Sequence, residues 1–196
     1  MASYDPATAL IVVDMQNDFA DPAGSLSVSG ANRVVPNVNR EVRAAGAAGA
    51  VVIYTQDWHP PSTPHFVTEG GIWPVHCVAD SWGAALVPEL VIAGELRVRK
   101  GAGGEDGYSG FTMRDPQTGV ETATPLEAML RDRGVGRVVV CGLATDYCVK
   151  ATAVDAARLG FATTVVSDAI AAVELGPGDG DAAIAEMAAA GVAISA

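Results

Sequence analysis

Basic residues are scarce in this chain: 12 Lys and Arg stand against 23 Asp and Glu over 196 residues, a net charge of −11. So acidic a surface repels phosphate backbones and anionic membranes, so we expect no nucleic-acid or membrane partner and a small molecule instead. Cysteine is scarce too. Cys77, Cys141 and Cys148 form no CxxC pair and no even set, which argues against a disulfide framework and for reduced thiols. Long apolar runs are missing: the first ends at Asp14, too soon for a membrane span, and Met1 to Asp5 lack the basic start of a secretory leader. A cytoplasmic location is the expectation. Several catalytic signatures are absent as well. There is no HExxH for a zincin, no GxSxG elbow for a serine hydrolase and no P-loop, and Gly101-Ala-Gly103-Gly104 has Asp106 where GxGxxG needs its last glycine.

What is present is a chain 49% apolar and 18% charged, which excludes disorder; with no repeat or linker, residues 1–196 read as a single domain. Short β-rich runs alternate with helical patterns, the sign of an α/β fold around a parallel sheet. The predicted strands are 9–13, 51–55, 96–99, 137–141, 162–166 and 192–195. Runs such as Ile11-Val12-Val13 and Val138-Val139-Val140 have no polar face, as strands covered on both sides require. Val34, Val38, Val42 and Ala45 predict one helix, stopping at Gly46 and Gly49, and Leu126, Met129 and Leu130 another, stopping at Gly134. A third should start near Thr145 or Asp146, either of which can cap it, and end at Gly160; a fourth spans 181–190. Two long stretches, 58–82 and 101–124, read as loops, which at this length are usually functional.

Ligands of an open α/β sheet bind beyond the carboxyl ends of its strands. Asp14, Asp57 and Lys100 follow the first three strands, and Cys148 lies just after the fourth. Near a helix N-terminus and a lysine, Cys148 is expected to have a lowered pKa and to act as nucleophile; the alternative is an inert buried thiol, which Cys141 fits better. For Asp14 the alternative is a turn or cap residue, and for Lys100 a solvated strand-end charge. All three histidines, His59, His65 and His76, cluster after Asp57, a donor set that suits Zn²⁺, Fe²⁺ or Mn²⁺ unless they merely cap or pack the loop.

Beyond these single residues, the blocks VVDMQNDF (12–19), YTQDWHP (54–60), WPVHCV (73–78), Lys100-Gly101, YSGF (108–111) and VCGLATDYCV (140–149) occur in order. They resemble the nicotinamidase/pyrazinamidase group of the isochorismatase-like cysteine hydrolases, from residue 9 to about 170. The resemblance implies a three-layer, doubly wound, Rossmann-like and mostly parallel sheet of about six strands. It implies a catalytic triad of Asp14, Lys100 and Cys148, and one divalent transition metal on Asp57, His59 and His76, with His65 in the place of a fourth ligand. Phe19, Trp73 and Tyr108 would enclose a pyridine ring. A cis bond between Leu143 and Ala144 would turn the Ala144 and Cys148 amides toward an oxyanion. The implied activity is hydrolysis of nicotinamide, and of pyrazinamide, through a thioester, a reaction of NAD salvage.

Three other readings compete. A sibling cysteine amidohydrolase would act on a different small amide or ureido compound without needing a histidine-bound metal. A non-catalytic binding module would leave Cys148 inert, and a metallohydrolase would use metal-bound water with Cys148 only packing. Homo-oligomers fit any of these. The segments 79–82 and 113–124 carry little family signature and are expected at the pocket mouth or a subunit contact.

Overall fold

A computed structural model describes residues 2–195. The chain runs β1 (Thr8–Val13), α1 (Asn17–Ala20), α2 (Ala31–Ala47), β2 (Val51–Asp57), β3 (Arg97–Lys100), β4 (Thr112–Arg114), β5 (Glu121–Ala123), α3 (Leu126–Arg131), β6 (Arg137–Leu143), α4 (Lys150–Arg158), β7 (Ala162–Ala171), α5 (Asp179–Ala189) and β8 (Ala193–Ser195). Six strands form one parallel sheet in the order β3-β2-β1-β6-β7-β8.

Burial accounts for this arrangement. All six residues of β1 and six of the seven in β6 are buried, because helices cover both faces of the sheet. Successive side chains go to opposite layers. Leu10, Val12, Tyr54, Val139 and Cys141 share a core with Val34, Val38 and Val42 of α2, whereas Ile11, Val13, Ile53, Val138 and Val140 meet α3, α4 and α5. No helix among the described residues is long and apolar enough to cross a membrane.

α2 ends at Ala47, between the expected stops at Gly46 and Gly49, with Gly49 in the left-handed conformation at φ +71° just past its end. Two local expectations need correction. The segment 101–124 is not all loop: β4 and β5 pair as a small antiparallel hairpin. After β6, a π-helical turn at Thr145–Val149 leads into α4, and neither Thr145 nor Asp146 caps it. The Asp146 carboxylate instead accepts the Val173 and Glu174 N–H groups, both at 2.9 Å, and so ties the end of β7 to this turn.

The order of strands positions everything that follows. Winding proceeds from β1 outward to β3 on one side and from β6 outward to β8 on the other. A crevice therefore opens at the carboxyl ends of β1 and β6. Gly142 permits the close approach there: its φ is +115°, and a Cβ would run into the Val13 carbonyl.

Candidate active site and metal centre

Asp14, the first residue beyond β1, is fully buried and accepts a 2.6 Å hydrogen bond from Thr55 Oγ1. Asp57 and Lys100 end β2 and β3, where the parallel register pairs them directly. Lys100 reaches back under the sheet edge, its Nζ 2.7 Å from Asp14 Oδ2, 2.7 Å from Asp57 Oδ1, and donating to the Gly107 carbonyl. Cys148, in the first turn after β6, lines the crevice. Its sulfur, an Asp14 oxygen and an Asp57 oxygen all lie within 4.8 Å of one another.

Electrostatics here corrects one expectation from sequence. Burial pushes the Cys148 thiol well above its ordinary value; Lys100 opposes this, but Asp14 and Asp57 reinforce it. This direction is opposite to the lowered value expected from a helix N-terminus and a lysine. Asp14 is raised as well, because burial and the neighbouring Asp57 outweigh Lys100 and Thr55. Burial alone would discharge Lys100, yet the two carboxylates outweigh it and keep it an ammonium. Asp57 goes the other way: burial would raise it, but Lys100 and the two imidazoles hold it well below the usual carboxylate range.

The imidazoles form a second cluster against the first. His59, His65 and His76 are buried, and one ring nitrogen from each lies within 4.8 Å of the others. Asp57 Oδ2 stands 3.8 Å from both His59 Nε2 and His76 Nε2, too far for hydrogen bonds. Among the described residues, neither nitrogen of His59 has a hydrogen-bond partner, although the ring is fully buried. Buried polar atoms rarely go unpaired. Facing carboxylate and imidazole donors of this kind fit a divalent transition ion. Outer hydrogen bonds also orient the rings: His76 Nδ1 lies 2.8 Å from the Pro74 carbonyl and His65 Nδ1 lies 2.6 Å from Asp106 Oδ1. Such contacts leave the opposite nitrogen for a metal. Gly101, at φ +72°, gives His59 its room, since a Cβ there would strike the ring.

Aromatic side chains close the mouth. Phe19 packs on the His76 ring at 5.4 Å, and Trp73 Nε1 donates to Tyr108 Oη at 2.8 Å. Trp73 also meets Tyr147 edge-on at 4.8 Å. The Leu143–Ala144 bond is cis, and Ala144 lines the crevice beside Cys148.

Several contributors escaped the sequence reading. Tyr147 was legible only as a neighbour of Cys148. Gln16 lies inside the first motif block and holds Asp57 in place: its Oε1 accepts the Asp57 N–H and its Nε2 donates to the Asp57 carbonyl, both at 2.8 Å. Asp106 carries no signal in the sequence beyond standing where a glycine motif would end. Cys77 and Cys141 are buried and free, and the segment 79–82 forms a turn with Asp80 at φ +61°.

The Isochorismatase domain matches residues 8–196. An Escherichia coli nicotinamidase is 36% identical over 206 residues, covering 96% of this chain and 94% of that protein. Among solved structures, a Pyrococcus horikoshii pyrazinamidase in complex with zinc superposes with a TM-score of 0.85 at 38% identity, covering 96% of this chain and 98% of the other. PnC1 from L. infantum, solved with nicotinate, gives 0.88 at 37% identity, covering 98% and 94%. Over nearly its whole length, then, this chain belongs to the isochorismatase domain family, in its nicotinamidase/pyrazinamidase group.

Proposed function

We propose that this chain hydrolyses nicotinamide to nicotinate and ammonia, and accepts pyrazinamide, through a thioester on Cys148. One observation carries the reading: Asp57 belongs to both clusters, with Oδ1 on Lys100 beside Asp14 and the Cys148 sulfur, and Oδ2 facing His59 and His76. A thiol and a cradle for a Lewis acid thus border one slot with aromatic walls. The name of the E. coli relative and the nicotinate bound to the L. infantum protein support the same substrate.

Asp57, His59 and His76, with His65 as fourth ligand, would hold one divalent zinc, iron or manganese ion; when bound, it supplies an anchor for the ring nitrogen of the substrate. Phe19, Trp73 and Tyr108 enclose the ring and set its carboxamide over the thiol. Cys148 Sγ then bonds to the amide carbon while Asp14 takes the thiol proton. The N–H groups of Ala144 and Cys148 receive the charge that develops on oxygen. Asp14 hands its proton to the nitrogen, the C–N bond breaks, and ammonia leaves. Water next gives a proton to Asp14 and its oxygen to the acyl carbon; the C–S bond breaks, the proton returns to sulfur, and nicotinate departs. Lys100 holds Asp14 and Asp57 in register throughout.

The test is ammonia release from nicotinamide by wild type and Cys148→Ala, with ion content measured in both. Loss of turnover with ion content unchanged is the expected result. Turnover by the alanine variant would overturn the reading.

A further inference from the structure

Three consecutive residues between β3 and β4 touch three parts of the site, an imidazole, the lysine and an aromatic wall. Asp106 Oδ1 lies 2.6 Å from His65 Nδ1, the Gly107 carbonyl accepts from Lys100 Nζ, and Tyr108 Oη accepts from Trp73 Nε1. The first of these contacts has no part in the reaction as derived above. It needs a reason, because a carboxylate of low exposure has been placed against a buried imidazole rather than in water.

We propose that Asp106 is the positioning residue of the metal centre: by accepting the His65 Nδ1–H it fixes the tautomer and the ring so that Nε2 faces His59 and His76. This rests on the reading of the three imidazoles as a metal site. Geometry supports the assignment from both ends. The backbone of Asp106 is pinned by paired hydrogen bonds with Arg114, 2.7 Å from its N–H and 3.0 Å to its carbonyl, so the carboxylate projects from a fixed point beside the turn end of the β4–β5 hairpin. Its second oxygen, Oδ2, lies 3.9 Å from the exposed Arg114 guanidinium. The His65 ring in turn stacks on His59 at 4.6 Å, so a rotation of one ring disturbs the other. Among the described residues, His76 has only a backbone carbonyl as outer partner and His59 has none. Asp106 is therefore the one side-chain carboxylate that stiffens the imidazole set from outside. A carboxylate behind a ligating imidazole also raises its basicity toward a cation.

Zinc affinity measured by competition with a chromophoric chelator tests this without using turnover. Asp106→Ala is expected to weaken Zn²⁺ binding about 10–100-fold, as removal of an outer partner commonly does. Asp106→Asn, which keeps an oxygen acceptor without the charge, should fall between wild type and alanine. His65→Ala should weaken binding by itself, and adding Asp106→Ala to it should cost nothing further, because the two act through one ligand. The visible spectrum of the Co²⁺-loaded protein should change alike in Asp106→Ala and His65→Ala. Wild-type affinity in both Asp106 variants, or additive losses in the double variant, overturns the proposal while leaving the metal site standing. If wild type itself binds no Zn²⁺, both this proposal and the metal site fall.

Discussion

Asp14 and Cys148 lie within 4.8 Å of each other in a pocket whose burial raises the pKa of both, and the proposed reaction passes a proton between them. Asp14→Asn removes the acceptor and keeps the shape. Ammonia release should drop by about 10²–10⁴-fold, the usual worth of a positioned acid or base, while binding of the product nicotinate persists. Lys100 answers to a different logic. Its ammonium is shared by two buried carboxylates, so Lys100→Ala strands both of them and should cost about 3–5 kcal/mol of stability, read from urea unfolding. A variant that unfolds at the wild-type midpoint would mean that the three charges do not hold one another.

Among the elements, β6 and the turn after it matter most, because they carry Ala144 and Cys148 into the crevice. Gly142 sits where β6 passes closest to β1, with φ +115° and no space for a Cβ. Gly142→Ala should lose about 1–3 kcal/mol to backbone strain alone, with more from the clash at Val13, and kcat should fall as Ala144 and Cys148 shift. Full stability and full turnover in that variant would contradict the close approach. All six strands of the parallel sheet are legible in sequence, β1 and β6 most plainly, as unbroken apolar runs that need burial on both faces. The hairpin is not, since all three residues of β5 are exposed and leave no hydrophobic period to read. β7 extends through Ala171, well beyond Val166, because its pairing with β6 shifts register and resumes at Gly142 with Ile170. Such a shift is a tertiary event. The capping role expected of Asp146 failed for the same reason: its acceptor capacity is taken by backbone 27 and 28 residues away.

For the whole molecule, a loop bearing three imidazoles is laid across the carboxyl edge of a parallel sheet, with Asp57 at the seam. An ion held by both parts should stabilise the folded chain by linkage, about 2.7 kcal/mol at a concentration 100 times its dissociation constant. Chelation should therefore lower the thermal midpoint, and restoring Zn²⁺ should recover it together with ammonia release. Ring geometry follows from the same division. If an ion on the imidazoles anchors the ring nitrogen as proposed, turnover should favour a nitrogen placed as in nicotinamide, meta to the carboxamide. Nicotinamide and pyrazinamide have one; picolinamide, isonicotinamide and benzamide do not, and their ammonia release should be far slower. Equal rates across the five amides would remove the case for a ring-nitrogen anchor.

Chemistry-bearing residue types and their order along the chain are properties of sequence, as is the alternation of apolar runs with amphipathic stretches. Those local periods determined the α/β class, the strand ends that carry Asp14, Asp57 and Lys100, and the block around Cys148. Folding decided what those residues are to one another. Whether Cys148 holds its proton depends on desolvation and on the summed field of three charged groups drawn from β1, β2 and β3, none of which is its neighbour in sequence. The meeting of Asp106 with His65, 41 positions apart, depends equally on how two loops pack at one sheet edge. Periodicity records which face a residue presents; proton affinity and ligand orientation are sums over neighbours in space, and only the assembled structure supplies those neighbours.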